Sequence, residues 1–349
     1  MTVMTRTAFS VRRPIPLFAL AALVSVLSGL CIGAFPVSFG QILSAVGLSD
    51  TPLDDTTAAV LYAIRAPRVL AAFAVGAALA ASGAAMQSLF RNPLGDPGLV
   101  GVSSGAALAA VSVIVLGEKV MHIIPTDLRP WCLPVAAFIG GLAATVLVYR
   151  IAARDGVTLV GTLLLAGIAV NALTSAGIGV LVFVADDQQL RTLIFWTMGG
   201  FGAVTWTAIL PAMLVLAISV PTLLPTAHLL DALALGEREA GHVGVDVERL
   251  KIRLVAQVSL AVGAGVAISG VVGFVGLLAP HIVRLMLGPA HRTLLPAAAL
   301  FGGAFLVLAD ALARTLVSPA ELPIGVLTAL VGGPFFLWLL VGRAARGGL

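Results

Sequence analysis

The sequence predicts an all-α polytopic membrane protein of about ten transmembrane helices, forming a single transmembrane domain over residues 1–349. Three observations lead there. First, of 349 residues 60% are hydrophobic and only 10% charged, where soluble domains carry about 25% charged residues. The mean hydropathy of +1.10 is too high for a water-soluble core to absorb, so lipid must take the excess. Second, apolar runs of roughly twenty residues recur, and twenty helical residues rise ~30 Å, the thickness of a bilayer core. Third, the charged residues fall between these runs or near their ends.

Taken in order, the runs place spans at 16–35, 68–89, 98–116, 131–149, 159–184, 204–224, 253–271, 273–287, 295–313 and 323–341. The first follows Arg12-Arg13-Pro14, has no convincing Ala-x-Ala cleavage site and is long enough to span, so it reads as an uncleaved helix, not a signal peptide. The second opens on Arg65, Pro67 and Arg68 and runs through small apolar residues. It stops at Arg91-Asn92-Pro93-Leu94-Gly95-Asp96-Pro97-Gly98, where prolines cannot continue a helix and glycines permit unusual dihedrals. Such a break is tolerated at membrane depth only against protein or a water-filled path. The third and eighth spans are short or interrupted by glycine. The polar segment Asp186–Trp196 separates the fifth from the sixth. Between the sixth and seventh lies Leu235–Arg253, LGEREAGHVGVDVERLKIR, the most charged stretch of the chain. Within it Glu237, Arg238, Glu239 and Ala240 favour a helix, and Gly241 and Gly244 are expected to end or kink it. The ninth and tenth spans then close the chain.

The charges orient these spans. With an internal N-terminus, the cytoplasmic segments hold Arg6, Arg12, Arg13, Arg91, Arg150, Arg154, Arg238, Arg249, Lys251, Arg253, Arg284, Arg292, Arg343 and Arg346. The other side holds Arg65, Arg68, Lys119, Arg129, Arg191 and Arg314. Fourteen of the twenty basic residues are therefore internal, as the positive-inside rule requires. Ten spans put both termini in the cytoplasm. The segments Val75–Gly83 and Val262–Gly270 both read VGAxxAxSG, on spans two and seven. Their opposite directions point to an inverted repeat with halves near 65–185 and 250–341. Small residues at this density also let helices approach closely in lipid.

Several functions are excluded. A P-loop needs a Gly-Lys pair, and the two lysines follow Glu118 and Leu250. No Ser-His-Asp or zinc-protease arrangement is apparent, so the chain is not expected to be an enzyme. The basic residues form no face with interleaved aromatics, so no nucleic-acid partner is expected. The five histidines show no metal-ligand spacing. Pro280-His281 and Met198 read as packing groups, and Cys31 and Cys132 as small buried hydrophobes. A stand-alone secondary transporter would need ion-coupling carboxylates near mid-span. Only Asp310, near a span end, comes close.

The stretch Arg65–Gly105 resembles the signature of bacterial permease subunits of type II ATP-binding-cassette importers for iron chelates, haem and cobalamin. The likeness returns at Leu235–Arg253, Ser269–Leu287 and Glu321–Leu340, and so covers nearly the whole chain. It implies a homodimer in the inner membrane, surrounded by lipid. Two ATPase subunits that bind ATP would lie below it and a periplasmic binding protein above it. No cofactor is held permanently, and the cargo is a bulky chelate. The segment Asp186–Trp196 looks most like haem-importing members, with ferric siderophore and cobalamin as alternatives.

The resemblance also carries over site residues. Glu237, Ala240, Gly241 and Gly244 fall in the coupling segment that docks on the ATPase; a solvated connector is the plain alternative. Asn92 and Leu94 correspond to an inner gate, and Val160 and Gly161 to a second constriction where relatives carry hydroxyl residues. Asn92 could also be only a turn residue before proline. Arg65, Arg68 and Arg314 match arginines that dock the binding protein; otherwise they anchor spans at the headgroups, with Arg314 paired to Asp310 one turn earlier. Arg191, Phe195 and Trp196 would flank the substrate entrance, the rings serving otherwise as an interfacial belt.

Overall fold

The computed structural model describes residues 14–33, 35–117, 122–154 and 156–344. The expectations for both termini, with Arg6, Arg12, Arg13 and Arg346, and for Lys119 lie outside the described residues. Six helical stretches are long and apolar enough to span a membrane, and four shorter apolar helices bring the set to the predicted ten. In chain order, α1 (Pro14–Cys31) leads to two short helices, α2 (Phe39–Ala45) and α3 (Asp55–Ala59). A π-helical turn at Val60–Arg65 then joins α3 to α4 (Ala66–Leu89). After the break come α5 (Val102–Leu116), α6 (Arg129–Ala152) and α7 (Val160–Val184). A two-stranded antiparallel hairpin, β1 (Ala153–Arg154) and β2 (Val157–Thr158), links the last two. The short α8 (Asp187–Met198) precedes α9 (Trp206–Leu223), α10 (Ala227–Leu235) and α11 (Glu237–His242). The chain ends through α12 (Val247–Ser269), α13 (Val275–Leu287), α14 (His291–Ala313) and α15 (Ile324–Ala344).

Three boundaries differ from expectation, each for a local reason. The first helix stops at Cys31 rather than at 35. Span two is preceded by helix from Asp55, because the Asp54 carboxylate accepts the Thr57 N–H and caps that turn. Span seven starts at Val247 instead of 253, because Asp246 caps it by accepting the Arg249 N–H at 3.1 Å. The charged letters Glu248 and Lys251 suggested loop, but here they are helical and pair with each other. Gly241 also departs from expectation. It lies inside α11, and Gly244, at φ +87°, makes the turn.

The centre of the bundle is α4, against which α14, α12, α13 and α9 all pack. Its apolar stretch is 78% buried, against 17% for α7, so α7 faces the surroundings. Small residues set the closeness of the centre. A Cβ at Gly76 would stand 2.2 Å from the Gly302 carbonyl oxygen, and one at Gly83 would stand 1.8 Å from that of Gly276. Without a hydrophobic drive between helices in lipid, such backbone approach is what holds them. The pairing of α4 with α14 recurs as α12 with α6, and that of α5 with α6 as α13 with α14.

Candidate functional site: two charged ends of one bundle

The break after α4 is a chain of local caps. The Asn92 N–H bonds the Gln87 carbonyl at 3.0 Å, and the Asn92 side chain accepts the Leu94 N–H at 2.9 Å. Arg91 takes a positive φ of 45°, uncommon for a residue with a side chain. Asp96 accepts the Gly98 N–H at 2.7 Å; burial pushes its carboxyl pKa up, and that hydrogen bond opposes the rise. A 3₁₀ turn at Pro97–Val100 then feeds α5. The break rests on α7, where a Cβ at Gly167 would lie 1.7 Å from the Leu99 oxygen, and Asn171 bonds Ser104 at 2.5 Å. Asn92, Leu94 and Gly161 are exposed and Val160 is half-buried. The asparagine is thus a turn former, which leaves its outer surface free.

At the same end lies the charged segment Leu235–Arg253. Ala240 is buried, while Arg238, Glu239, Gly241, His242 and Gly244 are exposed. Leu235 and Val243 are 76% and 71% exposed on either side of α11. Glu237 turns inward, its carboxylate 2.7 Å from the Lys251 ammonium. Lys251 is almost fully buried and bonds Glu248 at 2.9 Å and the Thr158 carbonyl at 2.7 Å. Sequence reasoning used Lys251 to orient the spans and to exclude a P-loop, and gave it no contact. The spacing of Glu248 and Lys251 was a readable signal; the contacts to Glu237 and Thr158 had none.

The expectation that no serine, histidine and aspartate come together is corrected here. The His291 ring bonds Ser88 at 2.5 Å and Asp231 at 2.6 Å. Asp231 also accepts the His291 backbone N–H at 2.9 Å. Ser88 sits in a regular helix turn, is buried and also bonds the Ala84 carbonyl. The chain is a tether between α4, α10 and α14. Beside it lies a cavity of about 510 Å³ that Arg91, Asn92 and Arg284 also line.

The opposite end holds the arginines, and they are not displayed to solvent. Arg65, Arg68 and Arg314 are all buried. Arg65 donates to the carbonyls of Leu30, Cys31 and Phe35, and Arg314 to that of Gly29. The two thus satisfy the last orphan carbonyls of α1. Arg314 meets Asp310 at 3.1 Å, as its one-turn spacing suggested. Arg68 forks onto Asp310 and Glu321, each at 2.9 Å. The resemblance gives these guanidiniums a docking role; in the folded chain they bond groups of the chain itself. Glu321, nearly half exposed, is the member at the surface, and sequence reading gave it no role.

Glu321 also lines a cavity of about 350 Å³ with Phe195, Trp196, Gly202 and Pro323. The entrance aromatics and the arginine network therefore meet, whereas Arg191 points elsewhere on α8 and is exposed. A capping box from Asp186 and Gln189 fixes the start of α8. His281 is buried edge-on against Phe335 and Phe336, a packing role. Cys31 and Cys132 are half-buried rather than fully buried.

Known proteins share this architecture. Residues 20–342 match the model of the FecCD transport family. The hemin transport system permease protein HmuU of Yersinia pestis is 47% identical over 311 residues, covering 89% of this chain and 90% of that protein. The vitamin B12 import system permease protein BtuC of Klebsiella pneumoniae is 40% identical over 328 residues, covering 94% and 93%. Among solved structures, an inward-facing metal-chelate type ABC transporter superposes with a TM-score of 0.82 at 31% identity, covering 94% of this chain and 98% of that one. The ten-helix bundle, its helix-breaking loop and matches along nearly its whole length agree: the chain belongs to the FecCD transport family and is the membrane-spanning permease of an ABC importer.

Proposed function

We propose that this permease imports haem, received from a periplasmic binding protein and released to the cytoplasm across the bacterial inner membrane. The observation that carries this reading is the 47% identity to a hemin permease along about nine-tenths of both chains. The cavity between Phe195, Trp196 and Pro323 adds flat apolar surfaces suited to a macrocycle. Cobalamin is the second reading, favoured by 44% identity over 292 residues to a cobalamin permease of Halobacterium salinarum.

In this scheme two copies pack around one path. ATP is bound and hydrolysed on two partner subunits that meet Arg238–Gly244, with Leu235 and Val243 giving the contact its apolar part. Asn92 and Leu94, with Val160 and Gly161, close the path on the cytoplasmic side. The binding protein sits over the arginine end. There Arg65, Arg68 and Arg314 act by holding Glu321 and the end of α1 in place. Proteoliposomes carrying the permease, its ATPase and its binding protein test the cargo. ATP-driven accumulation of haem, with excess cobalamin failing to compete, is the expected result. Cobalamin uptake without haem uptake overturns the reading.

A further inference from the structure

The short helix α11 of the coupling segment, and α10 that leads into it, are each bonded to one gate segment through one buried side chain, Lys251 and His291. Lys251 joins Glu237 at the start of α11 to the Thr158 carbonyl, both at 2.7 Å, and Thr158 lies two residues before Val160. His291 joins Asp231 of α10, at 2.6 Å, to Ser88, at 2.5 Å, and Ser88 lies four residues before Asn92. We infer that Lys251 and His291 are positioning residues that drive two gates separately: Lys251 carries motion of α11 to the Val160–Gly161 segment, and His291 carries motion of α10 to the Asn92–Leu94 break.

The chemistry makes these joints stiff. An ammonium has three N–H donors, and Lys251 is almost fully buried with three acceptors: Thr158, Glu237 and Glu248. Sliding α11 away from the hairpin would leave a buried charge short of an acceptor, which is strongly disfavoured. The hairpin is gripped twice, because the second oxygen of Glu248 accepts the Thr158 N–H at 2.8 Å. Tyr149 on α6 bonds the Thr158 hydroxyl at 3.0 Å, so the strand moves with its neighbours. On the other side Asp231 takes both the ring and the backbone N–H of His291, which fixes the imidazole and leaves its far nitrogen for Ser88. The other charges lining the same cavity are Arg91 and Arg284. Coupling claims need a discrete physical link that both sites bias, and these two links are of that kind.

The inference rests on the proposed gates and coupling segment, and the test separates its failure from theirs. Full complexes in proteoliposomes would carry Cys31→Ala and Cys132→Ala, with one reporter, Asn92→Cys or Val160→Cys. Labelling by a membrane-impermeant thiol reagent is compared with and without ATP. Both reporters should respond to ATP in the otherwise unchanged chain. Lys251→Met should abolish the response at 160 and spare that at 92, and His291→Leu should do the reverse. Glu237→Gln and Asp231→Asn loosen the same links from partly exposed positions. They should give the same crossed pattern in weaker form and decide the matter if the first pair fails to assemble. Loss of both responses in either variant, or of neither, overturns the separate links. Unresponsive reporters in the unchanged chain overturn the gate assignment itself, and the inference with it.

Discussion

A buried guanidinium is tolerated only when its donors find acceptors, and Arg68 meets that condition through Asp310 and Glu321. Asp310 is fully buried between Arg68 and Arg314, so removing one arginine leaves its charge half compensated. Breaking such a pair costs about 3–5 kcal/mol. Arg68→Ala should therefore lower the thermal stability of the purified permease well beyond Arg191→Ala, an exposed change expected to stay within about 0.5 kcal/mol. Equal melting of the two variants would show that the network does not hold this end together. The Asp310–Arg314 contact was readable from its one-turn spacing. The Arg68–Glu321 contact crosses 253 positions and leaves no local trace.

At the scale of elements, glycine decides how near helices come. Gly83 on α4 faces the backbone of Gly276 on α13 with no room for a methyl group, whereas a Cβ at Gly179 on α7 meets nothing within 4 Å. Gly83→Ala should push α13 off α4 and lower the yield of folded permease, an overpacking cost of about 1–3 kcal/mol. Gly179→Ala should leave yield unchanged, and the check is monodisperse protein recovered per cell mass. The VGAxxAxSG segments marked this need for small residues, although no pattern could say which helix each would meet. Hydropathy found the spans and misplaced the start of α12. It counts Lys251 as a charge, whereas the folded chain neutralises that charge against Glu237 and Glu248.

For the whole molecule, the uneven burial of its helices matters most. The most enclosed, α4, ends in the break, while α7, mostly uncovered, begins at Val160. A face this open within one chain suits a second copy or lipid. In the proposed homodimer Leu94, 44% exposed at the tip of the break, approaches its twin. Leu94→Cys in a chain freed of Cys31 and Cys132 should crosslink between copies in at least one nucleotide state. An active transporter that forms no such crosslink in any state would place the gate elsewhere. The helix pairings of spans two to four recur among spans seven to nine.

Membrane class, ten spans, the break at Arg91–Gly98 and the helical start of the coupling segment were all determined by the sequence alone. Each depends on properties carried by neighbouring residues: apolar length, proline and glycine placement, and local helix propensity. Only the tertiary structure decided that Arg65 and Arg68 are engaged internally, and that Glu321 joins Arg68 to the cavity of Phe195 and Trp196. It alone brought Ser88, Asp231 and His291 into one chain and set Lys251 against Thr158. These contacts join residues tens to hundreds of positions apart. A buried charge takes its meaning from the partner that compensates it, and that partner is chosen by the packing of helices.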